Sequence, residues 1–88
     1  MIVYLIKKKE ECAYLPKAYE ETYYLEPGYK SVKSAIEKLK DLERQYCEND
    51  LKYYKNIKLT EYGLSSVLSI GTAETFISYH IVPIQIED

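Results

Sequence analysis

Val32, Ala35, Ile36, Leu39, Leu42 and Tyr46 recur at three- and four-residue steps, and that spacing draws one apolar stripe along a helix. Lys33, Glu37, Lys38, Lys40, Asp41 and Arg44 fill its other side. One helix cannot bury its stripe alone. It must lie on a sheet, which predicts a two-layer α+β sandwich. Ser34-x-x-Glu37 has the form of a capping box and Ser31 offers an N-cap one turn earlier, so the helix begins near 32 or near 35. It fades around Glu48-Asn49-Asp50, where three poor helix formers meet, giving a helix over about 32–48.

The strands are read from alternation. IVYLIK at 2–7 is apolar on both faces, which suits an interior strand. KKKEE at 7–11 reads as a solvated turn after it. Cys12–Leu15 is a second extended candidate, limited by Pro16. Tyr23–Leu25 is another, stopped by Glu26-Pro27-Gly28-Tyr29, whose Pro and Gly fit a type II turn. Ile57 and Leu59 alternate with Lys58 and Thr60 in a short strand that Gly63 closes, and Val67–Ile70 is a short strand within a small polar stretch. In TFISYHIVPIQI, Ile77, Tyr79 and Ile81 share one face and Phe76, Ser78 and His80 the other. Pro83 cannot donate to a ladder, so this strand lies at an edge or carries a bulge, and the changed phase at Ile84 and Ile86 points to the bulge. The expectation is one domain over 1–88, with the helix on a mostly antiparallel sheet of three to four strands.

Composition narrows the functional classes. Eighty-eight residues, 47% of them apolar, fill one core near the lower size limit for unaided folding. Cys12 and Cys47 lie far apart and form no CxxC pair, so both read as reduced, mostly buried thiols. MIVYLIKKKEE has its basic residues after a short apolar run, the reverse of a signal peptide. No run approaches the roughly 20 apolar residues of a membrane span. These features suit a cytoplasmic protein. Residues 31–58 hold seven basic and five acidic groups, while the chain after Lys58 has four acids and no Lys or Arg. Such polarity disfavours one continuous nucleic-acid footprint.

No catalytic, metal or cofactor signature is legible. His80 is the only histidine, without partners for a metal or a nucleophile nearby. SIGTAET has one glycine, too few to cradle phosphate. Glu10-Glu11 and Glu20-Glu21 are adjacent pairs, whose side chains diverge on a strand. For nucleic acid, the better residues are Lys33, Lys40, Arg44, Lys52 and Lys55, on the basic helix face and in KYYK. For a protein partner, the candidate is YEETYYLEPGY, with four tyrosines and three glutamates in residues 19–29. Tyrosine supplies rigid contact area with a polar tip. Tyr19, Glu20, Glu21, Tyr23, Tyr24, Glu26 and Tyr29 are therefore the candidate protein-binding residues.

The start MIVYLIKKK, the helix KSVKSAIEKLKDL and the close YHIVPIQIED resemble small accessory proteins of bacteriophages and mobile elements in low-GC Gram-positive bacteria. Anti-CRISPR and other anti-defence inhibitors are of this kind. The resemblance implies a compact binder without catalysis, and the expected partner is a larger bacterial or phage protein, with no cofactor. An edge strand could pair with a second copy while Pro83 guards against it, which suits a monomer or weak homodimer. One mutant pair tests the tyrosine segment. Tyr23 and Tyr24 fall on opposite sides of an extended backbone. Replacing the core ring with Ala should cost about 3–5 kcal/mol of stability. Replacing the other should keep stability within about 0.5 kcal/mol while weakening a partner by about 2 kcal/mol. Thermal melts and a binding titration on both variants check this.

Overall fold

A computed structural model of the chain describes residues 1–12, 20–49, 54–72 and 75–87, with 12, 20–27, 49 and 55 described by backbone alone. Among the described residues there is one helix, α1, which spans Val32–Asn49. Of the two possible starts, the earlier is used. The Ser34 N–H donates to Ser31 Oγ at 3.1 Å, and the Ala35 N–H donates to the Ser31 carbonyl at 3.2 Å, so Ser31 is the N-cap.

The strands are β1 (Ile2–Cys12), β2 (Glu20–Tyr29), β3 (Lys55–Thr60), β4 (Val67–Gly71) and β5 (Thr75–Gln85). They form one sheet in the order β2-β1-β5-β4-β3, every pair antiparallel. The architecture is the expected α+β sandwich, with five strands where three to four were expected. Its shortest dimension is 20 Å, the depth of one sheet and one helix. Among the described residues, no helix is long and apolar enough to cross a membrane.

Four local expectations are corrected. KKKEE is not a turn: β1 runs through it, paired on both flanks. Its charges alternate between faces and neutralise along each face, Lys8 with Glu10 at 2.7 Å and Lys9 with Glu11 at 3.1 Å. Nor does Glu26-Pro27-Gly28-Tyr29 turn, since β2 continues to Tyr29. Tyr4 pairs with Tyr29 and Ile6 with Leu25, so Glu26, Pro27 and Gly28 bulge opposite Leu5. An edge strand with a bulge is where Pro is tolerated. Gly28 lacks the positive φ of a type II turn. It serves close approach, because a Cβ there would lie 3.2 Å from Leu5 Cδ2.

β5 is interior and its ladder with β1 is unshifted from Thr75 to Gln85. Pro83 is accommodated because β4 pairs only with Phe76–His80, which leaves one flank of Pro83 without a neighbouring strand. The phase change reflects a change of face. Val82 and Ile84 pair with Leu5 and Val3, on the side away from the helix. The candidate second strand from Cys12 to Leu15 lies, past Cys12, outside the described residues.

Ala35, Leu39 and Leu42 meet Ile6, Leu68, Ile70, Ile77, Tyr79 and Ile81 in one buried cluster. Leu39, at 0% exposure, sits at its centre. Leu39→Ala should cost about 2–5 kcal/mol, transfer and cavity together, and Ser31→Ala about 1 kcal/mol. Urea unfolding of both variants measures the two losses, and the core change should be the larger.

Candidate functional site

Ladder register carries one row across the whole sheet on the helix side: Tyr23, Lys8, Tyr79, Leu68 and Leu59 are successive partners. Tyr79, at 3% exposure, alternates with Ile77 and Ile81 and so must point into the core. Its hydroxyl needs a partner there. Tyr46, from the last turns of the α1 stripe, supplies it: the two hydroxyls are 2.7 Å apart. Tyr54, just before β3, packs against Tyr46 with centroids 4.8 Å apart and planes at 89°. That edge-to-face geometry suits the ring quadrupoles. Lys8 Nζ stands 5.7 Å from the Tyr79 ring centroid, within cation–π range.

Leu42, Gln45, Tyr46, Tyr54 and Tyr79 line an open cleft of about 350 Å³. That is at the low end of ligand-pocket sizes, about 300–1,000 Å³. Gln45, at its exposed mouth, donates to Asp41 at 3.0 Å. Burial, reinforced by the Tyr46 hydrogen bond, pushes the Tyr79 phenol well above its ordinary value, against an opposing pull from Lys8. The cleft is thus a neutral, phenol-lined surface. It can receive an apolar or aromatic group and offer hydroxyl and amide hydrogen bonds. Among the described residues, no group of three His, Cys, Asp or Glu side chains is placed to hold a metal.

The candidate protein-binding residues from Glu20 to Tyr29 lie along the β2 edge. Tyr19 lies outside the described residues. Glu20, Glu21, Tyr23, Tyr24 and Glu26 are placed by backbone register, with Tyr23 opposite Lys8 and Tyr24 opposite Lys7, positions on the two different faces. Tyr29 is half-buried against the core, and burial, with the Asp41 carboxylate, raises its phenol. The candidate nucleic-acid residues are dispersed. Lys33 is exposed on α1, Lys40 pairs with Glu61 at 3.2 Å, and Arg44 pairs with Asp41. Lys55 opens β3, and Lys52 lies outside the described residues. Cys47 is a free thiol, exposed where a buried one was expected, because it follows Tyr46 off the stripe. The side chain of Cys12 is not among those described.

Sequence reasoning missed the convergence of Tyr46, Tyr54 and Tyr79. The signal lay in two of them occupying apolar-facing positions, one at the helix period and one at the strand period. Compared with protein families, curated proteins and solved structures, the chain matches none.

The hydroxyl pair makes a double-mutant cycle decisive. Tyr46→Phe removes one of the two partners of the Tyr79 hydroxyl, Lys8 being the other, and should cost about 0.5–1.5 kcal/mol, while Tyr46→Phe with Tyr79→Phe should cost less than the sum of the two single changes. Urea unfolding of the three variants measures this. Because the folded Tyr79 pKa lies above the unfolded value of about 10, its contribution is complete below that pH and is lost as pH rises beyond it.

Proposed function

We propose that the chain is a non-enzymatic protein-binding module, an inhibitor or modulator of a larger bacterial or phage protein in the cytoplasm. The observation that carries this reading is the tyrosine cleft, open at the surface and sized for one large side chain of a partner. Rigid aromatic walls with polar tips are the usual composition of a binding hot spot. The row that crosses the cleft also ends at Tyr23 on the β2 edge.

The chain acts as a monomer or weak homodimer. Its sheet edges are β2 and β3, and both are irregular. β2 carries the Pro27 bulge, and β3 has a register shift after Lys55 with Asn56 at φ 56°. Irregular edges resist pairing with another sheet.

Affinity capture from the source cell, with mass spectrometry, would identify the partner. Gln45→Arg then fills the cleft mouth from an exposed position. Its stability should stay within about 0.5 kcal/mol of the parent while partner binding weakens by about 2 kcal/mol or more. Undiminished binding would place the interface elsewhere. A steep fall in affinity with salt would instead favour nucleic-acid contact through the 33–55 region.

A further inference from the structure

The helix covers one face of the sheet, and the other face is divided in two. At one end, Val3 pairs with Ile84 and Leu5 with Val82, four half-buried aliphatic side chains on the two central strands. Beside them run two polar rows. Lys7 pairs with His80, which pairs with Val67, which pairs with Thr60. Lys9, Ser78, Ser69 and Lys58 form the other row. Lys7 and Lys9 both depress the His80 pKa, after burial, which confirms that these side chains share one local field. This face thus carries Lys7 and Lys9 on β1 and Lys58 on β3, with Glu11 paired to Lys9 and Glu20 at the register position opposite Glu11.

We infer that this face docks an acidic amphipathic helix of a partner protein, with aliphatic residues over Val3, Leu5, Val82 and Ile84 and carboxylates over Lys7, Lys9 and Lys58. Three observations select that occupant. Five strands about 4.8 Å apart give a face about 20 Å wide, a span that a helix of about 14 residues covers. The aliphatic end needs an apolar partner, which a nucleic-acid strand does not supply. A second copy of this chain would bring the same lysines to the interface, and like charges there are repulsive. A helix on this face would complete a third layer over a sheet that has only two.

The inference rests on the protein-binding reading but uses the face opposite the cleft. Fluorescence anisotropy with two labelled peptides tests it: a Leu/Glu amphipathic helix of about 18 residues and its Leu/Lys counterpart. The Leu/Glu peptide should bind at least tenfold more tightly. Lys7→Glu with Lys58→Glu should abolish or reverse that preference, and Lys58→Glu alone, at an exposed position, should weaken Leu/Glu binding severalfold with an unchanged melt. Ile84→Ser should weaken the Leu/Glu peptide without altering charge preference. No binding, equal binding of both peptides, or binding indifferent to Lys58 would overturn the inference. So would equally tight, lysine-dependent binding of an oligothymidine, which would assign the face to nucleic acid. Failure here leaves the cleft reading standing, because Gln45→Arg tests that separately.

Discussion

Burial of the α1 stripe against the sheet governs the rest of the molecule. Ala35, Leu39 and Leu42 are buried with Ile6, Leu68, Ile70, Ile77, Tyr79 and Ile81 from the sheet. Five strands must therefore present their apolar side chains to one face together, and a slip of one residue in any ladder would turn that strand's contribution outward. The long unshifted ladder between β1 and β5 secures this at the centre, while the irregularities are confined to the edge strands.

The same constraint produces both candidate surfaces. A helix with one stripe covers one face, so the outer face stays open. It is neither uniformly polar nor uniformly apolar, which is unlike a sheet face that merely meets water. Toward the end of the helix the apolar stripe gives way to Tyr46, which meets the buried Tyr79, so a phenol-lined cleft opens there. Lys8 stands near the Tyr79 ring because β1 extends well past its apolar start. Two surfaces of different chemistry on opposite sides of a thin slab suit a protein whose work is contact.

The candidate site was less legible than the fold. Tyr46 could be placed on the helix stripe and Tyr79 on a strand face, but their hydroxyl contact spans 33 residues of sequence, and no periodicity reports a long-range pairing. The basic residues of the 33–55 region were read as a helix face, Lys33, Lys40 and Arg44, with Lys52 and Lys55 beyond it. Lys40 and Arg44 pair with Glu61 and Asp41, contacts that the helical period does not report.

The sequence by itself determined the helix, its N-cap candidates, the strand nature of 2–7, 57–60, 67–70 and 75–82, and the two-layer class, because local period and the need to cover a stripe are properties of the chain alone. Tertiary structure decided what neighbours supply. KKKEE became strand because β2 and β5 pair with it on both sides, and Pro27-Gly28 became a bulge because β2 is an edge. Pro83 fits an interior strand because β4 stops short of it. Turn propensity is worth about a kilocalorie or less per residue, and a ladder satisfied on both flanks of a central strand outweighs it.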